Sequence, residues 1–128
     1  MKPLSFPKKR RLASNRQFKA VLDHGRRAGD HLLTLYMASN PYGYPRHGVS
    51  VGKSSGKAVV RNRLKRLLRE AFRRSQDRIP QGFDYVLMIS PRLARSLKQA
   101  RTGKHVLAAL TFRQVQESFL SLIETLQS

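Results

Sequence analysis

The sequence predicts an α+β fold, helices packed on a mixed, mainly antiparallel β-sheet, and three observations predict it. Apolar residues recur at helical spacing in stretches that begin near residues 15, 58 and 112. Between them lie short runs of large apolar residues, 31–38 and 83–90, bounded by Pro, Gly and Asn. At 128 residues, with no internal repeat and no long linker, the chain is expected to be one domain spanning 1–128. Helices and strands in this order suit a layer of helices on one sheet.

The chain opens on a basic arm over residues 1–10, whose order without a partner the sequence leaves open. Ser14 or Asn15 is placed to cap a helix running to about His24, with Gly25 as its stop. Phe18, Val21 and Leu22 share one face of that helix. His31 to Ala38 reads as a strand. Alternation puts Leu33, Leu35 and Met37 on one face and Leu32, Thr34 and Tyr36 on the other. The turn Asn40-Pro41-Tyr42-Gly43-Tyr44-Pro45 leads into a second strand, Arg46 to Gly52, expected to be the antiparallel partner of the first.

A polar loop follows, in which Ser54 or Ser55 is a candidate cap for the clearest helix in the chain, Ala58 to Ser75. Val60, Leu64, Leu67, Leu68 and Ala71 gather on one side of it. Asn62, Lys65, Arg66, Arg69 and Arg73 gather opposite, with Arg61 and Arg63 on the flanks. Pro80-Gln81-Gly82 turns the chain into a strand, Phe83 to Ser90, whose nearly unbroken apolar run suits an interior position. Pro91 ends that strand, and 92–110 reads as one or two short helices. Thr111 then caps a final amphipathic helix built on Phe112, Val115, Phe119, Leu122, Ile123 and Leu126.

Composition narrows the function classes. The chain holds 26 Lys and Arg against 7 Asp and Glu, a net charge of +19 and a pI of about 11.7. Such an excess on a small body repels itself unless a polyanion neutralises it. The expected partner is therefore nucleic acid, with an anionic membrane surface as second choice. Residues 1–30 and 46–78 carry nine and eleven of the basic residues, while 31–45 carry no charge, so the two basic blocks are candidates for one surface. At 40% apolar residues the chain has the means to bury a core, unlike a disordered basic tail. The absence of Cys excludes disulfides and thiolate metal sites. No apolar run approaches the ~18 residues of a membrane span or resembles a secretory leader, so a cytoplasmic protein is expected.

The search for catalytic chemistry finds little. His24, His31, His47 and His105 form no metal-binding spacing, and the seven acids form no evident acid/base pair. Asp84, beside a strand, is a candidate for holding a loop, and Glu70, among arginines, for a local ion pair. The basic helix is the strongest signal. From Arg61 to Arg74 it carries seven basic residues and a single acid, a costly arrangement for a merely solvated face. Guanidinium forks suit phosphate oxygens. Asn62 adds a donor and acceptor fit for a sugar hydroxyl or a base edge. Tyr36, on the strand face away from Leu33, Leu35 and Met37, is placed to stack on an unpaired nucleotide.

The run Gly56 to Arg73, GKAVVRNRLKRLLREAFR, resembles the signature of the bacterial ribonuclease P protein component, above all in Arg61-Asn62-Arg63 followed by Leu64-Lys65-Arg66. Arg11-Leu12 with Phe18, Leu35-Tyr36, Gly48 to Lys53, Asp84-Tyr85-Val86 and Leu110-Thr111-Phe112 resemble the family in the same order, so the likeness covers about 8–126. Ser54 stands where the family often has a second Lys, Leu22 where some members carry an aromatic, and 92–110 is longer than the usual link. The resemblance implies a left-handed β-α-β crossover, against the usual hand. It implies a protein subunit of an endoribonuclease that removes the 5′ leader of precursor tRNA. Catalysis would be carried by the RNA subunit with no protein active site. Mg²⁺ would be held mainly by RNA, with no cofactor bound by the protein alone and no protein partner required. Lys53, Lys57, Arg61, Asn62, Arg63, Lys65, Arg66 and Arg69 would face the catalytic RNA, and Arg11, Phe18 and Tyr36 would line the leader cleft. Two other readings share the composition. A structural ribosomal protein would co-sediment with ribosomes, and a nucleoid protein would prefer duplex DNA but lacks a clear helix-turn-helix.

Overall fold

The computed structural model describes residues 11–12, 14–99 and 110–127; the expected arm over 1–10 and the 100–109 part of the long link lie outside them. Helix α1 (Asn15–His24) starts at Ser14, whose hydroxyl accepts from the Gln17 N–H while the Gln17 side chain accepts from the Ser14 N–H. It stops where the Gly25 N–H donates to the Val21 carbonyl at 2.8 Å. A Cβ on Gly25 would lie 2.4 Å from that carbonyl oxygen, so the residue is glycine for space.

The described strands are β1 (Arg26–Gly29), β2 (Leu33–Ser39), β3 (Arg46–Ser50) and β4 (Phe83–Ile89), in one sheet ordered β1-β2-β4-β3. β1 and β4 run antiparallel to β2, and β3 runs parallel to β4. The second sequence-predicted strand is thus not the partner of the first. β4, apolar on both faces, takes the interior slot between them, and the 40–45 turn carries the chain across two strand spacings, roughly 9–10 Å. β1 was not expected, because Arg-Arg-Ala-Gly holds no β-branched or aromatic residue.

Helix α2 (Ala58–Ser75) crosses from β3 to β4, helix α3 (Pro91–Gln99) follows β4, and helix α4 (Phe112–Gln127) closes the described chain. α2 has no serine cap. Its N-cap is Lys57, without a side-chain bond, and Ser55 is buried in the short turn before it. α3 has such a cap: the Ser90 hydroxyl accepts from the Leu93 N–H at 3.0 Å, and Pro91 serves as a helix start. Thr111 caps α4 as expected, accepting from the Gln114 N–H at 3.2 Å.

The main core lies between one sheet face and α2, α3 and α4. Leu33, Leu35, Met37, Tyr85 and Leu87 meet Leu64, Leu68, Phe72 and Phe119 there. A smaller cluster, Leu12, Val21 and Val86, lies on the other face under α1. Leu32 packs against the main core from outside β2, not with Thr34 and Tyr36. At the end of the sheet, Asp84 accepts two bonds from Arg46, both 2.7 Å, and a third from the Asn40 amide at 2.8 Å. It fastens the 40–45 turn to β4, the loop-holding role expected of it, and its partnership raises the Arg46 pKa.

Candidate nucleic-acid interface

The first surface is the sheet face beneath α1. Register brings Arg27, Tyr36, Val86 and Gly48 into one row across the four strands, with Thr34, Met88 and Ser50 in the next. The Phe18 ring stands on Gly48: a Cβ there would lie 2.3 Å from Cζ and 2.8 Å from both Cε atoms. Phe18 and Tyr36 belong to the same partly buried cluster. The N-terminal segment reaches it along the outer edge of β3, where the Leu12 N–H donates to the His47 carbonyl at 2.8 Å and Arg11 pairs with His47. Arg11 is exposed at that edge, and the ring of its partner His47 stacks on Phe72 in the main core, so of the three expected cleft residues the structure brings Phe18 and Tyr36 together on the α1 face and leaves Arg11 at the β3 edge. Leu22, expected on the buried face of α1, is exposed.

The second surface is the outward side of α2. Asn62, Arg63, Arg66 and Arg69 are exposed along it, and Lys53 and Lys57 are exposed on the loop that enters it. Arg61 and Lys65 are half-buried on the flank, and the Arg61 Nε is buried with no hydrogen-bond partner among the described residues. The Lys53–Ser55 turn is buttressed by α3, whose Leu93 and Leu97 are buried, so the position of Lys53 is fixed from behind. Glu70 pairs with Arg73 and Arg74, the local ion pair expected of it. Arg73, more than offsetting burial, and Arg74 hold its carboxyl at about 2, well under its ordinary 4.5. Among the described residues no acid pairs with Arg63, Arg66 or Arg69, which leaves that row single-signed.

Beside this row, between α2 and the start of α4, runs a groove of about 660 Å³. Arg63, Arg66, Leu67, Arg69, Glu70, Arg73, Arg74 and Phe112 line it. Sequence reasoning put Leu67 and Phe112 on the apolar sides of their helices and gave neither them nor Arg74 a place in a binding site. Arg27 and Gly48 were missed as well, since their place follows from strand register, which no local pattern carries. Among the described residues no group of three His, Cys, Asp or Glu side chains is arranged to hold a metal, and no helix is long and apolar enough to cross a membrane.

The fold and its two surfaces define a small, strongly basic α+β protein that turns a cationic crossover helix outward and keeps two partly buried aromatic rings, Phe18 and Tyr36, on the opposite face of its sheet. Comparison with known proteins gives the particular family: the model described as Ribonuclease P matches residues 6–126, and the chain belongs to that family. The ribonuclease P protein component of Syntrophus aciditrophicus is 34% identical over 111 residues, covering 87% of this chain and 92% of that protein. That of Petrotoga mobilis is 30% identical over the whole length of both. The solved ribonuclease P protein from Thermotoga maritima, 30% identical, superposes with a TM-score of 0.74 over 92% of this chain and 98% of that one.

Proposed function

We propose that this chain is the protein subunit of a ribonuclease P, binding the catalytic RNA and the 5′ leader of precursor tRNA while the RNA subunit cuts the leader off. The observation that carries the reading is the separation of two surfaces with different chemistry. Exposed Asn62, Arg63, Arg66 and Arg69, led by Lys53 and Lys57, form a single-signed face fit for the phosphates of a folded RNA. Arg61 and Lys65, half-buried, flank that face.

Phe18 and Tyr36 form a platform fit for the bases of an unpaired strand, and exposed Arg11, at the β3 edge, is a guanidinium for the backbone of a strand that leaves the platform there. A leader held there tethers the substrate beside the RNA that cuts it, which raises affinity for the precursor over the mature tRNA. The RNA subunit supplies Mg²⁺-dependent hydrolysis. The protein's own residues bind and orient, in the cytoplasm, without a cofactor of their own.

The test is cleavage of a precursor tRNA by a bacterial ribonuclease P RNA at low Mg²⁺, with and without the protein. Cleavage at the mature 5′ end that depends on the protein is the expected result. RNA binding without any rescue of cleavage refutes the subunit assignment.

A further inference from the structure

The groove between α2 and α4 combines two features that phosphate binding alone does not call for. Its rim is cationic, yet its floor is apolar. Leu67 and Phe112 are half-buried there, although the spacing of Leu67 belongs to the core side of the helix. The Arg74 guanidinium lies over the Phe112 ring, 5.1 Å from its centre. We infer that this groove receives a single unstacked nucleobase of the bound RNA, stacked on the Phe112–Arg74 pair, with the adjoining phosphates on Arg63 and Arg66. This rests on the RNA-binding reading above and adds a site to it.

Size, charge and continuity argue for that occupant. A groove of about 660 Å³ has ample room for a planar base. Its arginines exclude a cationic ligand, while Leu67 and Phe112 offer a flat apolar surface that every base can use. Arg63, Arg66 and Arg69 belong both to the rim and to the outward face of α2, so a strand following that face passes the mouth of the groove. Glu70 stands in the wall as a carboxylate, an acceptor for the exocyclic amine of cytosine, adenine or guanine. An acidic peptide satisfies the arginines but brings like charge to Glu70 and no ring to the floor.

The test uses the full chain and two short RNA duplexes, one with a bulged cytidine and one with an abasic residue at the bulge. The wild-type protein is expected to bind the cytidine bulge at least about fivefold tighter, the low end of one base–aromatic stack. Phe112→Ala is expected to bring that ratio to one while the affinity for the abasic duplex holds. Arg74→Gln, a change at an exposed guanidinium, reports the same loss should Phe112→Ala fail to fold. Phe18→Ala is expected to keep the ratio. A wild-type ratio of one overturns the proposal, as does a ratio lost in Phe18→Ala and kept in Arg74→Gln, which would send the base to the cleft. A ratio of one together with polyglutamate binding that Arg74→Gln weakens makes the occupant an acidic peptide and overturns it too. If neither duplex binds the wild-type protein, the RNA-binding reading itself has failed, a result distinct from a lost ratio.

Discussion

Gly48→Ala puts one methyl group where the Phe18 ring now stands. The new Cβ would lie 2.3 Å from Cζ and 2.8 Å from both Cε atoms. Carbon atoms pack at about 3.5–4.0 Å, so the ring must withdraw by about 1.2–1.7 Å. Phe18 is half-buried, so the ring has room to swing outward, and the overpacking penalty falls at the low end of about 1–3 kcal/mol. Gly48 is not among the glycines with positive φ, so its backbone accepts Ala, which by itself stabilises by about 0.4–1 kcal/mol through the unfolded chain.

The two effects have opposite signs and separate in a double-mutant cycle. In the wild-type background Gly48→Ala is expected to destabilise the fold slightly. In a Phe18→Ala background, with the ring gone, the same change is expected to stabilise it by about 0.4–1 kcal/mol. Urea unfolding of the four proteins measures both. In binding, Gly48→Ala should weaken leader-bearing precursor as Phe18→Ala does, by up to about 1–3 kcal/mol per stacked base, and leave mature tRNA unchanged. Equal effects of Gly48→Ala in both backgrounds would refute the contact. Equal losses for precursor and mature tRNA would refute the cleft.

Asp84→Ala strands the Arg46 guanidinium, only 12% exposed, and the Asn40 amide. A loss near the low end of about 3–5 kcal/mol is expected by thermal melting, because the Tyr42 ring still faces Arg46 at 4.4 Å. Glu70 has a folded pKa of about 2 against an ordinary 4.5, so its contribution is present above 4.5 and fades as the pH falls toward 2. Glu70→Gln should flatten the acid limb of stability in that window, read from urea midpoints; an unchanged slope counts against the pairing. Arg66→Ala should lower the slope of log affinity against log salt by about 1 for the catalytic RNA without moving the melting temperature. A changed melting temperature would return the residue to a structural role.

The parts of the fold legible in the sequence are those set by local periodicity and capping. α2 falls at 58–75 as its spacing predicts, and Ser14 and Thr111 cap their helices as their positions predict. The rest depends on partners far along the chain. Nothing in Arg-Arg-Ala-Gly marks β1, which exists because β2 offers it an edge. β3 carries no sign that β4 will come between it and β2. Leu22 and Leu67 have core spacing but sit where no element covers them fully. The exposed cationic face of α2 was legible because the spacing of charge on a helix is local. Gly48 and Phe112 were not, because what they touch lies at Phe18 and Arg74.

The sheet order also has a consequence for how the two surfaces work together. Because β3 runs parallel to β4, the chain must cross the sheet between them, and α2 makes that crossing with its apolar side on the main core. Its cationic side therefore faces away from the sheet, while α1 and the cleft lie on the opposite sheet face. A packed layer is about 10 Å thick, so the cleft and the α2 face share no side-chain contact. The link between them is the Lys53–Lys57 loop, which leaves the sheet after Ser50 and enters α2. Losses at the two surfaces should then add. Arg66→Ala combined with Phe18→Ala is expected to weaken precursor binding by the sum of the single losses, within about 0.3–0.5 kcal/mol. Lys53→Ala, on the connecting loop, is where departure from additivity is expected. If Arg66 and Phe18 couple more strongly than Lys53 does with either, the surfaces are one site, and the sheet does not divide them.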